Sequence, residues 1–453
     1  MPNVTVLGAG GSTVTIVLSS VQNAAAAQTA LNFVSTQIAN KIVDVQVWSG
    51  SGTLPSPTNL LGSGVVTIAG NVGALDAAYF SAQVNAKGNT TLVGATRPNS
   101  TVVAGDGSNL TFGNVATTSQ VFFGDSNSAL INFKGTANLA VGTGNYVVLT
   151  DTGATTNVTG GNALFVTSDI AGKSGTTNIN TGSTNASVIA QGSSTVPVNI
   201  NATSGTLFLQ SLGTSAAIIN PGAAKVTVFG GTFDTTTKTF NTNGGKVTLF
   251  GGTGSSTVIN GQGAFTGGTA GNNLMFTSTV AGSATLTGGG TGDRLFGMGK
   301  GDLFIAGAGS STISARNPGA ADNTFIVGNG FTTVFGAGQG GNTYLFSGLG
   351  SGLIDGRDET ASGKAFQNTY AEFGTNGGGF HLIGDFVTGT DKLLIGANMT
   401  AAVTFFTAGQ GSSPFGVVAG TQVKLSSGTT YSFFDTNSDG KQDIFQSDIL
   451  KIL

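Results

Sequence analysis

Gly-Gly-Gly-Thr-Gly-Asp-Arg-Leu-Phe (288–296), Gly-Met-Gly-Lys-Gly-Asp-Leu-Phe-Ile (297–305) and Ala-Gly-Ala-Gly-Ser-Ser-Thr-Ile-Ser (306–314) follow one another without a break. Asp293 and Asp302 occupy one position of this nine-residue period, and Leu295, Phe304 and Ile313 occupy another. Ser311 stands where the third Asp would be. A glycine-rich turn followed by a few strand-forming residues cannot bury its apolar side chain alone, but stacked copies can. The period therefore predicts an all-β chain built as a parallel β-solenoid or β-roll stack.

Upstream, from about Ala86 to Thr285, short apolar runs such as Leu110-Thr111-Phe112 and Val147-Val148-Leu149 alternate with Gly, Asn, Ser and Thr. Spacing of this kind suits a sandwich, a barrel or a solenoid. Ala-Lys-Val-Thr-Val-Phe-Gly-Gly-Thr (224–232) returns as Gly-Lys-Val-Thr-Leu-Phe-Gly-Gly-Thr (245–253), which favours a solenoid whose successive coils stack equivalent strands. One helix is expected, from about Ser20 to Lys41. There Ala24, Ala27, Leu31, Val34 and Ile38 make one apolar stripe, to be packed on its own domain or on a neighbouring subunit. The predicted organisation has four parts: an N-terminal region over 1–85 with that helix, a β-repeat domain over 86–285, a calcium β-roll over 286–375 and a C-terminal β domain over 376–453.

Composition narrows the class. The 453 residues include 75 Gly, 30 Phe and no Cys, and only 8% are charged. Of the 20 acids, 18 are Asp and 2 are Glu, as turns favour and helices do not. A net charge of −3 excludes a nucleic-acid footprint. No apolar run reaches the roughly 18 residues of a membrane span, and the N-terminus lacks the pattern of a secretory signal.

The glycine-rich units resemble the nonapeptide of RTX proteins. Asp322-Asn323-Thr324-Phe325-Ile326-Val327 and Gly341-Asn342-Thr343-Tyr344-Leu345-Phe346 look like the strands that close RTX rolls. Leu382-Ile383-Gly384-Asp385-Phe386-Val387-Thr388-Gly389-Thr390-Asp391-Lys392-Leu393 resembles the motif that opens the C-terminal domain of serralysin-like type I exported proteins. The resemblance covers about residues 286–453. It implies calcium held by Asp293 and Asp302, with Asp322 and Asp355 as further candidates, because a hard cation takes oxygen ligands. It also implies type I export to the surface or surroundings of a Gram-negative bacterium, and Asp448-Ile-Leu-Lys-Ile-Leu453 is similar to the export signals of that route. Separately, Asp435, Asn437, Asp439 and Asp443, with Gly440, place oxygen ligands at the spacing of a tight calcium loop. Gln446 takes the place of the acid that would complete an EF-hand.

Catalytic patterns are absent. The single His, His381, rules out a His-Glu-x-x-His zinc site, and no Gly-x-Ser-x-Gly elbow occurs. Gly8-Ala9-Gly10-Gly11 lacks the third glycine of a dinucleotide turn, and Ala171-Gly172-Lys173-Ser174 lacks the first glycine of a phosphate loop. The sequence thus points to a non-enzymatic secreted protein that assembles with itself into an S-layer, fibre or biofilm matrix, with cell-surface polysaccharide as a further partner. A calcium-folded adhesin for a glycan or host ligand is the second reading, and a secreted enzyme the third.

Overall fold

A computed structural model describes residues 3–7, 13–17, 45–48, 64–68, 72–76, 80–84 and 88–95, and a few positions between 24 and 32. It also describes, with short breaks, 100–168, 176–240, 246–356, 367–406, 420–434 and 446–452. The chain is all-β, as the period predicts, with strand in 59% and helix in 3% of it. Contacts divide it into two units, Met1–Lys225 and Val226–Leu453.

Each unit is a solenoid of two parallel sheets, and the chain alternates between them. In the first unit, Thr118–Phe123 pairs in parallel with Thr136–Val141. The intervening strand Asn127–Asn132 pairs with Asn145–Asp151 in the opposite sheet. Alternation of inward and outward side chains along each strand puts Val121, Leu139 and Val158 inside, fully buried. Near the start of this unit, Ala24, Ala25, Ala27, Gln28, Thr29 and Asn32 are helical, and Ala24 and Ala27 are buried. Leu31, Val34 and Ile38 of the expected stripe lie outside the described residues.

In the second unit the nine-residue period is half a coil. Asp293–Phe296 pairs with Ser311–Ser314, two periods on, in one sheet. Ala284–Thr287 pairs with Leu303–Ile305 in the other. Gly292 and Gly301 adopt φ of 81° and 75°, turning the chain just ahead of Asp293 and Asp302. One inward row reads Leu286, Phe304, Phe325, Tyr344, Tyr370 and Leu393. The other reads Val258, Met275, Leu295, Ile313, Val334, Ile354, Ile383 and Phe433. Every member is essentially inaccessible to solvent. Rings in the first row stack at 5.2, 5.1 and 4.9 Å between centroids from Phe304 through Phe325 and Tyr344 to Tyr370.

Two expectations about organisation change. The strands of the Lys225 and Lys246 segments do not stack: Val226 to Phe229 pair with Ser256 to Ile259 in one sheet, while Val247–Leu249 pairs in the other. The intervening segment contains a small hairpin, Phe233–Asp234 with Thr239–Phe240, and carries the chain an extra half coil. Nor does strand pairing break at residue 285 or 375, since Leu286 pairs on both sides and Tyr370 pairs with Leu393. The stack ends in an antiparallel meander, Ala401–Phe406, Gly420–Leu425 and Thr430–Phe434. The last of these strands also pairs in parallel with Phe380–Ile383.

Candidate functional site

The polar chemistry of the second unit is concentrated where each turn enters its strand. Along one sheet the Oδ1 of each Asx accepts the backbone N–H of its counterpart one coil earlier. Ala284 N donates to Asp302 (3.3 Å), Asp302 N to Asn323 (2.8 Å), Asn323 N to Asn342 (3.4 Å), Asn342 N to Asn368 (2.9 Å) and Asn368 N to Asp391 (2.7 Å). All five Asx side chains are buried. The other group of each one closes its own turn or braces a neighbour: Val387 N donates to Asp391 Oδ2 and Asn342 Nδ2 donates to Ala337 O.

The opposite sheet repeats the device. Ser256 N donates to Asn273 Oδ1 (2.7 Å), and Asn273 N and Nδ2 donate to Asp293 Oδ1 (3.0 and 2.8 Å). Gly289 N and Gly290 N donate to Asp293 Oδ2 (2.7 and 3.0 Å). Asp293 therefore accepts four N–H groups. Ser311 and Thr332 continue this register, buried, and their hydroxyls find no hydrogen-bond partner among the described residues.

These contacts decide how the four described acids suit calcium. A cation site needs several oxygen lone pairs converging on one point. Asp293 directs both oxygens at amides. Asp302 accepts from Ala284 N and from Thr277 Oγ1 (2.7 Å). Asp322, one residue ahead of the ladder position held by Asn323, pairs at the surface with Lys300 (2.7 Å). Asp355 pairs with Arg316 (2.6 Å), whose guanidinium also lies 4.0 Å from the centre of the Phe335 ring. The four acids sit in four separate environments, and no group of three or more His, Asp or Glu converges among the described residues. The arrangement does not fit a calcium set at Asp293, Asp302, Asp322 and Asp355. Asp435, Asn437, Asp439 and Asp443 lie outside the described residues.

The 382–393 motif acts at the end of the stack. Asp391 is the last rung of the ladder, Phe386 and Leu393 are core, and Gly389 turns at φ 76°. Thr388 Oγ1, Gly389 N and Lys392 Nζ all donate to the buried carboxylate of Asp448 (2.7, 3.1 and 3.3 Å), fastening Ile449–Ile452 beside Lys392–Gly396. His381 is buried between Phe346 and Tyr431, at ring distances of 4.4 and 5.3 Å. Burial lowers its pKa to about 3, so the ring is neutral. Neighbouring Glu372 accepts from Thr429 Oγ1 (3.1 Å) and from Tyr431 Oη, and burial holds its carboxyl above the usual range. No helix among the described residues is long and apolar enough to cross a membrane.

The first unit carries its regular chemistry outward. Asn157, Asn180, Asn201 and Asn220 each donate Nδ2–H to the Oδ1 of the Asn one coil before, beginning at Asn138, over 2.5–2.8 Å. Beside that ladder runs a second outward row, Thr118, Thr136, Thr155, Asn178, Asn199 and Ile218. The opposite sheet shows solvent a different face: Ala129 beside Val147, Ile131 beside Leu149, then Phe208 and Ile189. Val147 and Phe208 are 41% and 37% exposed. Neither set includes a charged residue.

Searches against protein-family models, curated proteins and solved structures found no match to this chain.

Proposed function

We propose that the protein is a secreted structural protein that packs against copies of itself in an S-layer, fibre or biofilm matrix. One observation carries the reading: the two outward faces of the first unit are regular and free of charge. Soluble domains ordinarily keep charge of both signs over their surfaces. Here one face repeats amides and hydroxyls at the inter-strand step of about 4.8 Å, and a second copy carries the same step. The other face is apolar, and each Val or Phe removed from water contributes about 1.5–3 kcal/mol. Charged loops or a salt-bridged rim would keep copies apart; these faces invite contact.

Export by a type I system and location outside a Gram-negative cell belong to the same reading. They rest on the RTX-like sequence of 286–453, including the 382–393 motif. Calcium enters this reading through the loop of Asp435, Asn437, Asp439 and Asp443, whose spacing is that of a cation-wrapping turn.

Negative-stain microscopy of the full chain, with and without millimolar calcium, tests assembly. Ordered sheets or filaments are expected in calcium, and they should vanish in Val147→Lys and Phe208→Lys with circular dichroism unchanged. Monodisperse monomers of the wild type under every condition would sink the proposal. For calcium, calorimetric titration of wild type and Asp439→Ala should differ by one binding event; identical heats would remove the loop from the account.

A further inference from the structure

We infer that the second unit binds an acidic glycan, a carboxylate-bearing sugar polymer, in a cleft centred on Arg294. This goes beyond self-assembly and stands on different residues. The cleft has a volume of about 490 Å³ and lies over four successive strands of one sheet. Its floor is the outward row Leu274, Arg294, Thr312 and Thr333, which are direct neighbours across the strands. Its side is the set two residues earlier on each strand: Asn272, Gly292, Ser310 and Phe331. That second row explains the hollow. Gly292 has no side chain and Ser310 a short one, so a trough opens between the Asn272 amide and the Phe331 ring, which is 38% exposed. A Cβ at Gly292 would come within 2.6 Å of Asn272 Oδ1, and at φ 81° the position favours glycine in any case.

The lining selects the ligand. Arg316 in this unit has a carboxylate partner and a ring to stack on; Arg294 is exposed and has neither among the described residues. In a chain with 8% charged residues, an unpaired guanidinium in a trough is a directed feature. Its planar fork suits a carboxylate held through two parallel hydrogen bonds. Thr312, Thr333 and Asn272 offer hydroxyl and amide partners for sugar hydroxyls, and Phe331 offers a flat apolar surface for the C–H face of a ring. Ser311 also lines the cleft, and its buried hydroxyl has no partner within the fold among the described residues. Asp293 is the one acid in the lining. Its two oxygens are turned into the coil, where four N–H groups hold them. Three steps of about 4.8 Å give the trough a length of about 14 Å, room for a short run of sugar rings.

Calorimetry of the full chain with oligogalacturonate, and with neutral cello-oligosaccharide and sulfated heparin oligosaccharide of matched length, tests this. The expected result is binding of oligogalacturonate, at least tenfold stronger than the neutral sugar and than the sulfated one. Arg294→Gln and Phe331→Ala should each weaken it at least tenfold, and Arg294→Lys several-fold, with unchanged circular dichroism. Should a variant fail to fold, Thr333→Val is the substitute, expected to weaken binding severalfold. Three outcomes would overturn the inference: no binding, equal binding of the neutral or sulfated sugar, or binding that Arg294→Gln and Phe331→Ala leave intact. Assembly seen by microscopy is a separate readout, so either conclusion can fail without the other.

Discussion

Asn273 illustrates what single side chains do in the second unit. Its Oδ1 accepts from Ser256 N and Gly268 N, and its Nδ2 donates to Gly268 O and Asp293. Asn273→Ala leaves two buried N–H groups without acceptors, each worth about 1–3 kcal/mol, so a loss of about 2–5 kcal/mol is expected in denaturant unfolding. Asp322→Ala removes only an exposed ion pair with Lys300 and should cost under about 1 kcal/mol. Equal losses for the two would contradict the distinction between rung and surface. His381 adds a pH dependence. Its folded pKa of about 3 lies below the ordinary 6.5, so its contribution is complete above pH 6.5 and is lost as pH falls toward 3. His381→Phe, which keeps the ring between Phe346 and Tyr431, should flatten that acid limb by a few kcal/mol. Glu372 runs the other way. Its carboxyl is held above the usual range, so stability is lost as pH rises through that higher value, and a stability–pH curve of H381F should retain this limb.

The coil is the element, and here the sequence was most legible and also misleading. Nine residues are one turn and one strand, so Leu295, Phe304 and Ile313 were readable as core, and they are fully buried. The ladder was partly readable. The triplets Asn323-Thr324-Phe325, Asn342-Thr343-Tyr344 and Asn368-Thr369-Tyr370 announce it, yet attention to carboxylates favours Asp322, one residue out of register. An amide serves as well as a carboxylate when the task is to accept one N–H, which is why Asn alternates with Asp along the rungs. The 21-residue repeat misled because coils here vary in length, and a spacing alone does not say which sheet a strand enters. At this scale the aromatic stack is the sharpest test. Tyr344→Ala removes a fully buried ring stacked on both Phe325 and Tyr370, and about 3–5 kcal/mol should be lost in equilibrium unfolding.

On the scale of the whole molecule, polarity is sorted by unit: outward amides and apolar residues in the first, inward Asx rungs and an outward cleft in the second. If contacts between copies use the first unit's uncharged faces, arrays should persist from low salt to molar salt, because there is no ion pair to screen. Turbidity and microscopy across that range would check it, and dissolution of the arrays by moderate salt would count against those faces. The ladder has one further consequence, which is mechanical. Every rung gives its backbone N–H to the side chain of the following coil. Peeling the second unit from its N-terminal end exposes only carbonyl-type acceptors on the coil left behind. Peeling from the C-terminal end strips a donor of its acceptor at every step. Under tension the two ends of this stack are not equivalent, and a chain tethered at one end would yield at a different force from the same chain tethered at the other.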